Sequence, residues 1–150
     1  MEELMQLAIN EAKKAYQEDE VPIGCIIVDG NGNVIVKEHN TKIQDNDSTS
    51  HAELKALKKA QNILNTKYLY DCTMLVTLEP CAMCAGAIIN TRLGKLIYAL
   101  EEPKTGCCGS VYNLLDEPKF NHKVVVEKGI KREEVLKIMQ DFFRQKRGKD

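Results

Sequence analysis

Thr73-Met74-Leu75-Val76-Thr77-Leu78 leads through Glu79-Pro80-Cys81-Ala82-Met83-Cys84 into Ala85-Gly86-Ala87-Ile88-Ile89. The first six residues form an apolar run of strand length and read as a buried strand. Pro80 suits the start of a helix, where its missing N–H is not needed. Cys81 and Cys84 then share one face of the first turn, so both sulfurs can reach a single ion. The partial positive charge of a helix N-terminus favours thiolate over thiol and primes both as ligands.

Of the three histidines, His51 in Ser50-His51-Ala52-Glu53 is best placed to be a third ligand. It opens a second helical pattern, with Leu54, Leu57, Lys58 and Gln61 following. Helix, strand and helix in succession put both helix N-termini at the carboxyl ends of strands, where open α/β sheets place their sites. Two cysteines and one histidine leave the fourth position of a tetrahedral zinc to water, as in catalytic zinc sites. Glu53 stands in the first turn, close enough to act on that water's proton. H-x-E followed by P-C-x-x-C is the spacing of zinc deaminases. A structural zinc knot would instead need a fourth protein ligand from His39, His122, Cys107 or Cys108, and would have no use for Glu53.

A chain of 150 residues with 43% apolar and 29% charged residues is expected to form one domain, residues 1–150, with a core of its own. The first residues show no signal-peptide pattern and no apolar run reaches membrane length, so no membrane association is expected. Six cysteines in such a chain fit a reducing cytoplasm and metal ligation better than a disulfide framework. Cys25 and Cys72 read as small core residues. Charge is unevenly spread: residues 1–118 carry a net −6 and residues 119–150 a net +5. Arg144, Lys146, Arg147 and Lys149 make a basic tail, compatible with a localised phosphate contact or with a solvated helix face.

Leu4, Met5, Ala8, Ile9, Ala12, Ala15 and Tyr16 make the stripe of a helix over residues 2–18, ended by Val21-Pro22. Ile23 to Val28 is a buried strand, Asp29-Gly30-Asn31-Gly32 a turn, and Asn33 to His39 the returning strand of a hairpin. The polar segment Asn40 to Ser50 is too long for a tight turn and reads as a binding loop. Leu96 to Leu100 is a further strand, feeding the small-residue loop Glu101 to Ser110. Val124-Val125-Val126 is a last short strand. Val135, Ile138, Met139, Phe142 and Phe143 follow the rhythm of a docked amphipathic helix. The outline is a mostly parallel sheet of about five strands between helices.

Over nearly its full length the chain resembles the bacterial-type tRNA-specific adenosine deaminases of the cytidine-deaminase-like superfamily. The matching pieces are Glu20-Val21-Pro22-Ile23-Gly24, Asn40, His51-Ala52-Glu53, Val76 through Ala87, Lys104-Thr105-Gly106 with Gly109-Ser110, Asn121-His122, and Asp141-Phe142-Phe143-Arg144. The zinc pieces are common to the superfamily; the Lys-Thr-Gly loop, the Asn-His pair and the Phe-Phe-Arg tail are narrower. The resemblance implies a three-layer α/β/α fold with a five-stranded mixed sheet in the order 2-1-3-4-5. It further implies a cytoplasmic homodimer holding one zinc ion per subunit, which hydrolyses the wobble adenosine of an arginine tRNA to inosine. By resemblance, His51, Cys81 and Cys84 are the zinc ligands and Glu53 the proton shuttle. Asn40 then hydrogen-bonds the flipped adenine, and Val21 and Ile23 line its pocket. Lys104, Asn121, His122, Phe142, Phe143 and Arg144 are the implied contacts to the anticodon stem-loop. Ser48 and Glu102 depart from the family, which usually has proline and aspartate there. A salvage deaminase acting on free cytosine, guanine or a nucleoside would share the zinc motif without needing the basic tail.

Overall fold

A computed structural model describes residues 1–148; Lys149, the last cation of the basic tail, lies outside them. The elements follow in the order α1 (Glu2–Gln17), β1 (Gly24–Val28), β2 (Val34–His39), α2 (Ala52–Leu64), β3 (Thr73–Leu78), α3 (Ala82–Asn90), β4 (Lys95–Leu100), β5 (Val125–Lys128) and α4 (Arg132–Gly148). A single turn of 3-10 helix, Leu114–Asp116, interrupts the connection between β4 and β5. The five strands form one sheet in the order β2-β1-β3-β4-β5.

Strand alternation builds the three layers. Successive side chains of a strand point to opposite faces. Cys25 and Ile27 of β1 accordingly pack with Ala56, Leu57, Ala85 and Ile88 of α2 and α3. Ile26 and Val28 pack with Met5, Ile9, Val135 and Met139 of α1 and α4. Met5 and Ile9 are wholly buried, each contributing about 1.5–3 kcal/mol of transfer free energy. Gly24 lets α1 lie this close: a Cβ there would fall 1.9 Å from the Ala8 carbonyl oxygen and 2.5 Å from the Ala12 nitrogen.

Pairing is evenly divided, which corrects the mostly parallel outline. β1 runs antiparallel to both β2 and β3, while β3–β4 and β4–β5 are parallel. The reason is the α2 crossover. It carries the chain from the end of β2 back to the start of β3, so those two strands point the same way and β1 points against them. The carboxyl ends of β2 and β3 therefore meet at one edge of the sheet, and α2 and α3 both begin there.

Some details differ from the sequence pattern. α1 stops at Gln17, ahead of Val21-Pro22, because the chain turns through a left-handed Asp19 (φ 63°). The last strand starts at Val125 and runs on to Lys128 as a solvent-facing edge, which needs no apolar residues. On α4, Val135, Met139 and Phe142 are buried, whereas Phe143 is 43% exposed and does not dock. No helix among the described residues is long and apolar enough to cross a membrane.

Candidate active site

The two helix starts converge. His51 is the N-cap of α2 and Cys81 the N-cap of α3, both with extended backbone angles. Pro80 thus stands one residue before the cap and not inside the helix, and its carbonyl accepts the Cys107 amide at 2.9 Å. Cys84, three residues into α3, is fully buried. The ligand atoms of His51, Cys81 and Cys84 all lie within 4.8 Å of one another. Tetrahedral zinc with bonds of about 2.0–2.3 Å spaces its ligand atoms about 3.5–3.8 Å apart. Here Nδ1 of His51 is 3.7 Å from Cys81 Sγ and 3.5 Å from Cys84 Sγ, so the donor set fits that ion in kind and in spacing.

Protonation of the cluster is shared. The Cys84 thiol donates to Cys81, holding Cys81 well below the ordinary thiol range and pushing Cys84 well above it. Hydrogen bonding to Cys81 raises the His51 ring. Metal ligation needs both sulfurs deprotonated and the ring neutral, so zinc binding here releases protons.

Glu53, in the first turn of α2, is 3% exposed, and its Oε1 has no hydrogen-bond partner. Burial pushes its carboxyl up to about 7, partly offset by its own amide and the His51 ring. A buried carboxylate oxygen without a donor is costly unless a donor arrives from solvent or substrate. That orphan atom, beside three metal-ligating groups, is what an acid–base catalyst acting on a bound water requires. Of the four candidates for a structural knot, the two histidines are occupied elsewhere: His39 lies between Glu11 and Glu18, and His122 is held by the Leu93 carbonyl. Cys107 and Cys108 lie nearer the site, but among the described residues the metal-ligating cluster comprises His51, Cys81 and Cys84 alone.

Asn40, at the end of β2, is 2% exposed, and its Oδ1 accepts the Ala52 amide at 2.8 Å. The donor fixes the orientation of the carboxamide, so its NH₂ group is the half left to face a ligand. Val21 and Ile23 flank the same sheet edge, half-buried against the core. Ser48 sits in a turn braced by Asp47, whose carboxylate accepts the amide and hydroxyl of Thr49 at 2.8 and 2.7 Å.

Two buried carboxylates lie in the matching pieces without an assigned role, and each ties a loop to this edge. Glu20 accepts the amides of Ile43 and Gln44 at 3.0–3.1 Å, fixing the loop before His51. Glu79, just ahead of Pro80 and Cys81, accepts the amides of Glu102, Cys108 and Ser110 at 2.9–3.0 Å, and the Ser110 hydroxyl. Gly106 must lack a side chain there, since a Cβ would lie 2.4 Å from the Glu79 carboxyl carbon. The loop that reads as a bland connection in sequence is thereby one unit with the ligand turn. Glu102 joins it through its amide, and its carboxylate accepts the amide of exposed Lys104 at 3.0 Å.

The remaining expected contacts divide. Phe142 packs edge-on against Tyr16 in the last turn of α1, ring centres 5.5 Å apart, and Phe143 and Arg144 follow it exposed on α4. Asn121 and His122 are elsewhere. His122 Nε2 is 2.6 Å from the Leu93 carbonyl oxygen, just before β4 begins, so the pair stands at the opposite edge from Cys81.

Residues 1–147 match the model of the MafB19-like deaminase family. The tRNA-specific adenosine deaminase of Bacillus subtilis is 43% identical over 145 residues, spanning 97% of this chain and 89% of its own. That of Aquifex aeolicus is 43% identical over 146 residues, spanning 97% and 95%. A solved tRNA:A34 deaminase, studied for A-to-I editing at the wobble position of transfer RNA, superposes with a TM-score of 0.85. It is 37% identical and covers 89% of this chain and 96% of its own. With the zinc-ligating triad and the buried glutamate in place, such identity along both chains leads to one assignment: this chain belongs to the tRNA-specific adenosine deaminases of the zinc-dependent, cytidine-deaminase-like superfamily.

Proposed function

We propose that the enzyme hydrolyses the wobble adenosine of an arginine tRNA anticodon to inosine, with Glu53 as proton shuttle. The observation that carries the chemistry is the unpartnered Oε1 of buried Glu53, beside His51, Cys81 and Cys84. Identity to tRNA-specific adenosine deaminases along nearly the whole chain supports the substrate.

His51, Cys81 and Cys84 would hold the zinc ion, which would supply Lewis acidity to the attacking water. Glu53 accepts the water's proton on Oε1 and delivers it to the adenine ring nitrogen next to the attacked carbon. It then takes the remaining proton of that water from the new hydroxyl oxygen and passes it to the amine as the C–N bond breaks, so that adenine and water become hypoxanthine and ammonia. The NH₂ group of Asn40 donates to the extruded base, while Val21 and Ile23 form its apolar wall. A paired base cannot reach this pocket, so the adenosine must come from a loop that lets it splay out.

Exposed Phe143 and Arg144 offer a stacking face and a phosphate donor beside buried Phe142. Lys104 adds a cation on the loop held by Glu79. Asn121 and His122 would meet RNA only beyond the pocket of their own chain. One sheet uniting strands from Gly24 to Lys128 supports reading residues 1–150 as one deaminase domain. We extend the proposal to a cytoplasmic homodimer with one zinc ion per subunit. The free state of all six cysteines favours a reducing compartment.

The test is a substrate panel. An arginine-tRNA anticodon hairpin should be converted, and hairpins with other wobble adenosines should be poorer. Comparable turnover of free guanine, cytosine or cytidine would overturn the tRNA assignment in favour of a salvage role.

A further inference from the structure

The loop leading into His51 carries a cation that makes no ion pair among the described residues. The neck of that loop is closed by the Thr41 amide donating to the Ser50 carbonyl at 3.1 Å. Glu20 grips the next stretch through the amides of Ile43 and Gln44. Lys42 lies between these two fixed points. The lysines around it are engaged: Lys55 and Lys59 both pair with Glu38, and Lys55 also donates to the Thr41 hydroxyl. Lys42 is half-buried, yet among the described residues no carboxylate is within ion-pair distance of its ammonium. An ammonium without an ion-pair partner on a loop held at both sides can take its counterion from an anionic ligand.

The proposed substrate brings such an anion. An extruded nucleotide carries a phosphodiester on each side of its ribose, close to the pocket mouth. Residues 1–118, which build the pocket, carry a net −6, so drawing RNA onto this edge needs a local positive group. Phosphate contacts fix register and orientation while leaving sequence to be read elsewhere.

We propose that Lys42 is a phosphate-binding residue of the active site, its ammonium holding a phosphodiester that flanks the extruded adenosine. The base is then received by Asn40 and its backbone is held two residues further along the same loop. This rests on the reading that the substrate is an adenosine in RNA. Lys42 governs affinity and leaves the proton transfers to Glu53.

The experiment compares wild type, Lys42→Gln and Lys42→Arg on the anticodon hairpin. Two further hairpins each carry a neutral methylphosphonate at one linkage flanking the target adenosine. Lys42→Gln should raise KM for the unmodified hairpin about tenfold or more, the worth of one charge-assisted contact. Turnover should stay within about twofold, as for loss of uniform binding. Zinc content should not change, and the log–log salt slope should fall by about 0.7. Lys42→Arg should restore most of the affinity. One methylphosphonate should weaken wild type comparably, and that loss should vanish in Lys42→Gln, because the pair is already broken. Losses that simply add at both linkages would show that Lys42 touches neither phosphate and overturn the proposal. Wild type that leaves the unmodified hairpin unconverted while turning over a free base overturns the substrate reading, and this site with it; that outcome is seen before any variant is compared.

Discussion

Glu53→Gln should stabilise the protein once zinc has been removed, and the gain should depend on pH. Burial raises the Glu53 carboxyl from 4.5 to about 7 in the folded chain. An acid raised on folding binds its proton more tightly in the folded state, so folding loses stability as pH climbs from 4.5 towards 7. Above about 7 the loss levels off. A shift of that size corresponds to about 3 kcal/mol at full ionisation. Glutamine has nothing to ionise, so the variant should match wild type near pH 4.5 and exceed it by about 3 kcal/mol near pH 8. With zinc bound, the cation's charge offsets the buried carboxylate, and the gap should narrow.

The assay is urea denaturation of both proteins at several pH values, with chelator and reductant present. His51 and the cysteines titrate in both, so the difference isolates Glu53 to first order. A difference that does not change with pH would refute the idea that burial sets this carboxyl group's affinity for protons.

Cys81→Ser and His51→Ala should each lose zinc and much thermal stability, because metal binding is coupled to folding; metal analysis and melting curves check this. Gly106→Ala would place a methyl group 2.4 Å from the Glu79 carboxyl carbon. It should cost about 1–3 kcal/mol by overpacking and raise KM for the hairpin, read by denaturation and steady-state kinetics. Replacing Arg144, Lys146 and Arg147 with glutamine should raise KM and flatten the salt dependence by up to about 2 units on a log–log scale. Zinc should be retained; an unchanged salt slope would make the tail an ordinary solvated helix end.

The metal ligands were legible in sequence because their geometry is local. Cys81 and Cys84 need only one helical turn, and His51 needs only a helix start at the same sheet edge. The elements were legible for the same reason, through periodicity. Strand direction was not, because the antiparallel meeting of β1 and β3 joins residues some fifty positions apart, as Cys25 with Val76. Patterning alone cannot see such a pair; the resemblance supplied it. The roles of Glu20 and Glu79 were missed because their partners are mostly backbone amides, which leave no trace in residue identity. A faint signal existed in both: each is an acidic residue directly before the proline-containing segments Val21-Pro22 and Pro80-Cys81 at the strand edge. Phe143 belongs to the apolar rhythm of α4, yet it stands one residue beyond buried Phe142, and the helix has by then turned it outward.

Conversion of the anticodon hairpin by wild type and by Glu53→Gln, with zinc measured in both, tests the chemistry most directly. Wild type should convert the wobble adenosine to inosine, seen as the amine-to-carbonyl mass change at that nucleotide. Glu53→Gln should keep its zinc and fall by at least about 10²–10⁴-fold in rate, the usual worth of a positioned acid–base group. A variant that keeps both zinc and most of its activity would contradict the assignment of Glu53 as the proton shuttle.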